Sequence, residues 1–384
     1  MSVFYSVENV PVHDVLLMPT RELALSCPRG DIGLGFCPSC GFISNVLYAP
    51  SPHQYSSGYE STQAFSPTFS AFARKLATDL IARYDLHDKD IIEIGCGMGE
   101  FLLLLCELGP NRGIGFDPAY LDGRVESPAL ERVTFVKDLY SDAYAHLHAD
   151  FICCKMTLEH ISDTGAFVRM VRQNIGEEGK PTVFFQVPDV MRILRELAFW
   201  DIYYEHCSYF SRGSLARLFQ CCGFEVLRLW KAYDDQYLML AARPAGAAAG
   251  RDSAGNELQA LSRAVERFAA NVRSTIDTWR LRLDRARQRG ERVALWGGSS
   301  KAVAFAATLG LGEEIAQVVD INPQRQGTFL PGSGHEIVAP LALQENPPDV
   351  VIAMNPIYRA EIAAELQRLG VPSRLLTVHD GDAV

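Results

Sequence analysis

No run of apolar residues approaches the roughly 18 that a membrane-crossing helix needs, so no such span is expected. Positive charge is not in excess either: 36 Lys and Arg face 46 Asp and Glu, a formal net charge of -10. A nucleic-acid binder would normally show a basic field, so the expected partner is a small molecule. Met1 to Asp14 carries acids and no basic-then-apolar leader. A disulfide framework is also missing. Several of the ten cysteines, Cys153 and Cys154 among them, sit inside apolar stretches, where a thiol acts as a small hydrophobe. Such usage belongs to a reduced compartment and points to the cytoplasm. What remains is 384 residues, 48% of them hydrophobic, enough for two or three domains with sizeable cores.

The chain is organised around the stretch from Ile91 to Phe101. Ile91 to Ile94 reads as a buried parallel strand. Gly95, Gly97 and Gly99 make a turn that lets a ligand lie against the backbone. Phe101 to Leu105 then opens a helix. Strand, glycine turn and helix form the first unit of a nucleotide-binding sheet, whose ligands sit at the carboxyl ends of the strands. The dinucleotide fingerprint G-x-G-x-x-G is absent. The pattern is E-x-G-x-G-x-G, with Glu93 inside the strand, and it resembles the first motif of class I S-adenosylmethionine-dependent methyltransferases. A second strand, Gly113 to Phe116, ends in Asp117 and Pro118, and a carboxylate there can accept both ribose hydroxyls. A third, Val133 to Val136, leads to Asp138 and Leu139. The resemblance implies that an acid at that place faces the adenine amino group. The bland alternative is that any sheet of this kind has glycines and acids at its strand ends.

Four stretches follow from composition and periodicity. Residues 1–60 are rich in Pro, Gly and Ser and are expected to be a small irregular module. Within them Cys37-Pro38-Ser39-Cys40 is a C-x-x-C knuckle. A structural zinc needs four ligands, and upstream only His13 and Cys27 are available, so the metal stays unassigned. Tyr55, Tyr59 and Phe65 lie in a polar connector. Residues 61–243 alternate helix and strand: a helix from Phe69 to Tyr84, five parallel strands, and a closing antiparallel hairpin. Residues 244–290 hold a linker and a helix of about 30 residues with a near-heptad apolar stripe from Leu258 to Ala286. That stripe is a packing face or a seam between two copies, so monomer and homodimer are both open. Residues 291–384 form a second, smaller α/β unit. Its glycine turn at Gly297 and Gly298 is followed by Ser299, Ser300 and Lys301, which could cradle a phosphate at a helix N-terminus or be structural only. The fold class is therefore α/β, with a class I methyltransferase Rossmann-like sheet and a second Rossmann-like domain.

The chemistry is expected in the stretch from Asp201 to Ser211, on the ligand side after the fifth strand. Tyr203, Glu205 and His206 place a phenol, a carboxylate and an imidazole together. Histidine titrates near neutrality and suits general-base work, with Glu205 orienting it or holding a substrate hydroxyl. His160, after the fourth strand, should face the same cleft.

Taken as an ordered set, these motifs resemble the three-domain sugar C-methyltransferase family, whose members methylate a carbon of a nucleotide-linked ketosugar. The family loop reads Tyr-His-Glu-His before Tyr-Phe-Ser. Here Tyr203, Glu205 and His206 match it and Tyr204 replaces the first histidine. Leu158-Glu159-His160, Trp296 to Lys301, Val319 to Pro323 and Pro348 to Val351 match further motifs, so the resemblance spans nearly the whole chain. It implies S-adenosylmethionine as cofactor, a sugar nucleotide as acceptor and a place in antibiotic biosynthesis. It also implies proton removal beside a carbonyl by His206, with Tyr203 or His160 supporting the enolate oxygen. One feature departs from the family, whose N-terminal module binds zinc through two C-x-x-C pairs. Only Cys37 and Cys40 are present here. Methylation of oxygen or nitrogen in another metabolite needs no ketone and is the competing reading. A degenerate binding scaffold fits poorly with the intact glycine turn, Asp117, Asp138 and the Glu-His pair.

Overall fold

The computed structural model describes residues 1–50, 58–245 and 255–380. Tyr55 and residues 246–254 of the linker lie outside the described residues. The N-terminal stretch, expected to be irregular, forms strands: β1 (Ser2–Pro11), β2 (Arg29–Phe36) and β3 (Ile43–Asn45), with the short helix α1 (Arg21–Leu25) after β1. They pair antiparallel. Register slips between Val3 and Tyr5 and between Val7 and Val10 break the two-residue alternation by which a strand is recognised.

Helix α2 (Pro67–Tyr84) starts where Ser66 accepts a hydrogen bond from the Phe69 amide at 3.2 Å. It packs on α3 (Glu100–Leu108), which follows β4 (Asp90–Ile94). Next come β5 (Arg112–Phe116), β6 (Val133–Val136), β7 (Phe151–Lys155), α4 (Thr164–Ile175), β8 (Thr182–Pro188) and α5 (Val190–Glu196). After β9 (Ser208–Tyr209) and α6 (Arg212–Cys221), the hairpin β10 (Phe224–Ala232) and β11 (Tyr237–Pro244) closes the sheet. The strand order is β10-β11-β8-β7-β4-β5-β6. All neighbours from β8 to β6 are parallel, and β11 inserts antiparallel between β8 and β10. This is the class I methyltransferase arrangement. Successive residues such as Phe184 and Phe185 point to opposite faces, and both are fully buried. A parallel sheet covered on both sides requires this, and each ring contributes roughly 2–3 kcal/mol of burial. Strand β9 leaves this sheet and completes the N-terminal one, pairing Ser208 with Ser44 and Tyr209 with Ile43.

Helix α7 (Gly255–Gln288) carries the apolar stripe. Leu261, Phe268, Ile276 and Trp279 are buried within the chain. Phe268 meets Tyr5 edge-on at 5.5 Å and Trp279 meets Phe305 at 5.3 Å. A stripe used in this way is a packing face. The last unit contains β12 (Val293–Trp296), α8 (Ser300–Leu309), β13 (Gln317–Val319), β14 (Ile337–Val338), β15 (Val350–Ala353), α9 (Arg359–Leu369) and β16 (Arg374–Thr377). Its sheet, β14-β13-β12-β15-β16, is parallel throughout. In both parallel sheets the first strand lies between strands reached in opposite directions. The carboxyl ends of β4 and β12 are therefore the two switch points, where such sheets bind ligands. Both open into one cavity.

Candidate active site

The cavity has a volume of about 910 Å³ and is walled by all three sheet regions. On the methyltransferase side it begins at the turn from β4 to α3. Gly95 has φ +69°, and a Cβ there would stand 2.1 Å from Thr157 Oγ1, so only glycine fits. At Gly97 an added Cβ would meet nothing nearer than Ser61 Oγ at 3.9 Å, so this part of the turn faces open space. Gly99 is the N-cap of α3. Asp117, just past β5, accepts the Gly97 amide on one oxygen and the Ala119 amide on the other, each at 2.8 Å. Burial pushes its carboxyl up, and those two amides pull it back. The turn and the acid are thus locked together around the edge of a cradle, with Pro118 in the same wall. Asp138 is held by the Tyr144 hydroxyl at 2.8 Å and the Leu139 amide at 2.7 Å; both Asp138 and Leu139 are exposed at the rim. Glu93 is buried, and burial pushes its carboxyl up to about 8 against the pull of Lys155. The Lys155 ammonium lies 3.7 Å above the Phe101 ring. A glycine turn that is tight at Gly95 and open at Gly97, with a fixed carboxylate beside it, fits an adenosyl ligand.

Deeper in, the cluster from the β8–β9 connection meets the turn after β7. Tyr203 and His206 rings lie 4.3 Å apart, and His160 and His206 rings cross at 90° with centroids 4.8 Å apart. Burial, and then His160, hold the His206 imidazole well below the usual histidine range, so it is neutral at pH 7. Burial, with Asp14 next, holds the Tyr203 phenol far above its ordinary value, so it keeps its proton. Glu205 does not orient His206, contrary to the sequence expectation. Residues 203–206 form a turn closed by the His206 amide on the Tyr203 carbonyl at 3.2 Å, and Glu205 and His206 meet different partners. One Glu205 oxygen accepts the Asp14 amide at 2.9 Å and lies 3.8 Å from His13 Nδ1. The other accepts the Tyr59 hydroxyl at 2.6 Å and lies 4.0 Å from His160 Nδ1. The carboxylate facing His206 is Glu159, whose Oε1 is 4.0 Å from Nε2.

Sequence reasoning placed Tyr203, His206 and His160 together but missed Asp14, Tyr59 and Glu159. Asp14 and Glu205 are 191 positions apart, and no local pattern announces such a meeting. Glu159 stands beside His160 in the Leu158-Glu159-His160 motif, where nothing in the spacing gives it a role. Glu159, His160 and His206 each bring a ligand-type atom within 4.8 Å of the others, and no further group of this kind occurs among the described residues. Cys37 and Cys40 sit on the surface knuckle. His13 lies against Glu205, and Cys27 is buried with Met18 and Ala24, so the four do not converge.

The third wall is the C-terminal unit. The Gly298 amide donates to Asp320 Oδ2 and the Asn322 amide to Oδ1, each at 2.8 Å, repeating the Gly97–Asp117–Ala119 pattern. Lys301 is bonded to Asp201, which also faces Arg192 at 3.4 Å. Its ammonium is therefore already paired, beside Ser299 and Ser300 in the cavity lining.

Residues 69–229 match the family model described as a methyltransferase domain, and residues 252–371 match that of a C-methyltransferase C-terminal domain. The C-methyltransferase NovU of Streptomyces niveus is 29% identical over 311 residues, spanning 75% of this chain and 72% of that protein. Among solved structures, the chain is similar to the 1,6-didemethyltoxoflavin-N1-methyltransferase of Burkholderia thailandensis at 15% identity and TM-score 0.34, over 47% of this chain and 82% of that one. It is also similar to magnesium protoporphyrin IX methyltransferase of Synechocystis PCC 6803 at 15% identity and TM-score 0.36, over 46% and 84%. S-Adenosylmethionine is the methyl donor of the matched family, and the cradle fits it. The first family match falls on a sheet whose strand order and locked Asp117 already ask for an adenosyl ligand, the second on the C-terminal unit that walls the same cavity, and together they make this chain a class I S-adenosylmethionine-dependent methyltransferase.

Proposed function

We propose that this enzyme methylates a carbon beside a ketone in a small acceptor, and that the acceptor is a nucleotide-linked sugar of secondary metabolism. One observation carries the reading: a neutral, buried His206, flanked by a protonated Tyr203 and by His160, lines the same cavity as the cofactor cradle. When bound, S-adenosylmethionine supplies an electrophilic methyl group. The chain's residues do the rest. His206 takes the proton from the carbon next to the carbonyl, as a histidine that stays neutral below its ordinary titration range can. The Tyr203 hydroxyl, with His160 beside it, donates to the oxygen on which the enolate charge develops. Glu205 holds His160 in place and ties it to Tyr59 and to the N-terminal segment. Glu93, Gly95, Gly97, Gly99, Asp117, Pro118, Asp138 and Leu139 form the cofactor side, and Tyr203, Glu205, His206 and His160 the acceptor side.

The likeness to the C-methyltransferase NovU and the match to a C-methyltransferase C-terminal domain support a carbon acceptor. A division into 1–60, 61–243, 244–290 and 291–384, with all three folded parts closing on one cavity, belongs to the same proposal, as does a cytoplasmic setting. The test is mass spectrometry of products from ketone-bearing sugar nucleotides with an isotope-labelled methyl donor. A label on carbon supports the reading, and a label only on oxygen or nitrogen overturns it.

A further inference from the structure

His206 is buried and neutral at rest, and proton abstraction makes it a buried cation. A buried charge without a partner is costly, so the reaction needs a carboxylate near this ring. Glu205, next in sequence, is committed elsewhere. Its oxygens already take the Asp14 amide and the Tyr59 hydroxyl, and its histidine neighbours are His13 and His160. Glu159 is different. It is 1% exposed, its Oε1 lies 4.0 Å from His206 Nε2, and neither of its oxygens reaches a hydrogen-bond partner. An acid so placed lacks its counterpart in the resting site, and the protonated form of His206 is that counterpart.

Resting on the base role of His206, we propose that Glu159 is the positioning residue for His206: it fixes the ring through Nε2, leaves Nδ1 to take the acceptor's proton, and stabilises the resulting imidazolium. A metal centre built from the same cluster fits less well. Ligands held tetrahedrally at about 2.0–2.1 Å lie roughly 3.4 Å apart, and the Glu159–His206 pair is wider.

The groups around Glu159 set its titration. His160 adjoins it, Cys154 faces it from β7, Tyr203, His206 and Cys207 from the β8–β9 connection, and Tyr237 from β11. Burial keeps Cys154, Tyr203, Cys207 and Tyr237 protonated and His206 neutral, and it pushes the Glu159 carboxyl up to about 8. Turnover should therefore rise as the pH passes through that region and Glu159 ionises.

The experiment compares wild type with Glu159→Gln, Glu159→Asp and His206→Ala. It follows methyl transfer from pH 6 to 10 and S-adenosylhomocysteine binding by calorimetry. In Glu159→Gln, kcat should fall at least tenfold at pH 9, with KM and cofactor affinity changed less than threefold, and the rise near pH 8 should vanish. Glu159→Asp should restore part of both. Wild-type kcat and pH profile in Glu159→Gln would overturn the proposal. So would a loss of kcat that leaves the profile unmoved and abolishes cofactor binding, which marks a merely structural residue. Stoichiometric divalent metal in the wild type, absent from Glu159→Gln, would also overturn it. The His206→Ala arm separates the two readings: full turnover there refutes the base itself. Loss there with a wild-type-like Glu159→Gln refutes only the part given to Glu159.

Discussion

Replacing Gly95 by alanine tests the cofactor cradle at its narrowest point. The residue has φ +69°, where an alanine costs about 1–2 kcal/mol relative to its preferred backbone regions. The added Cβ would also stand 2.1 Å from Thr157 Oγ1, 2.8 Å from Cγ2 and 2.9 Å from Cβ. None of these contacts is tolerable. Thr157 cannot swing away freely, because its hydroxyl donates to the Lys155 carbonyl at 3.1 Å and its neighbour is the Glu159–His160 turn. Relief of the overlap must displace the turn or the β7 end, adding about 1–3 kcal/mol of overpacking strain. The sum is about 2–5 kcal/mol, divided between stability and ligand affinity. Gly95→Ala should thus lower the melting temperature and weaken S-adenosylhomocysteine binding at least tenfold by calorimetry. Adding Thr157→Gly removes all three offending atoms. The double variant should recover the steric share and keep the backbone share, giving a favourable coupling of about 1 kcal/mol or more in a double-mutant cycle. Wild-type affinity in Gly95→Ala, or strict additivity in the cycle, would refute this account of the turn.

His206→Ala should lower turnover by about 10²-fold or more, the usual contribution of a general base, with cofactor affinity nearly unchanged; His160→Ala should have the smaller effect. A steady-state assay beside calorimetry checks both, and wild-type turnover in His206→Ala removes the base. Asp117→Ala should cost about 1.5–3 kcal/mol of cofactor affinity through lost hydrogen bonds to a charged acceptor, and unchanged binding would move the ribose site elsewhere. Glu93 keeps its proton to about pH 8 in the folded chain and loses it near 4.5 when unfolded. Its contribution to stability is therefore largest below pH 4.5, falls as pH rises towards 8 and is level above that. Denaturant unfolding at pH 5 and 8 should show a smaller drop in Glu93→Gln than in wild type, by on the order of 3 kcal/mol. An equal or larger drop would contradict the burial argument.

What could be read from sequence followed local rules. The strands β4, β5, β6, β8, β12 and β15 are short apolar runs set off by glycine, acids or proline, and Asp163 and Ser211 cap their helices as their residue types suggest. The elements that escaped carry few such signals. Helix α5 is only seven residues, with the Asp189 cap as its one local sign after the proline that ends β8. Strand β14 is two residues long. Strand β1 is bulged, and the sheet it belongs to is completed only by β9, some 160 residues after β3. The site divides in the same way. Asp117 and the glycines follow from spacing along two successive strands, at the ends of β5 and β4. The partners of Glu205 and His206 come from Asp14, Tyr59 and Glu159, which only the packing of separate units brings near.

The route of β9 has a consequence for how such a protein can be recombined. His206 lies two residues before the strand that closes the N-terminal sheet, and Cys207 accepts the Asn45 amide through its carbonyl at 3.0 Å. Tyr204 exchanges hydrogen bonds with the Ala49 backbone at 3.0 and 3.1 Å, and a side chain at Gly30 would strike its ring at 2.4 Å. The first 50 residues and the loop from 203 to 209 are thus halves of one interlocking part, although the five parallel strands of the cofactor sheet lie between them in the sequence. A chimera that exchanges only the front of the chain with another enzyme would leave His206 moored to a foreign sheet. The two segments pack as a pair, so a library that shuffles the front segment should carry the 203–209 loop with it.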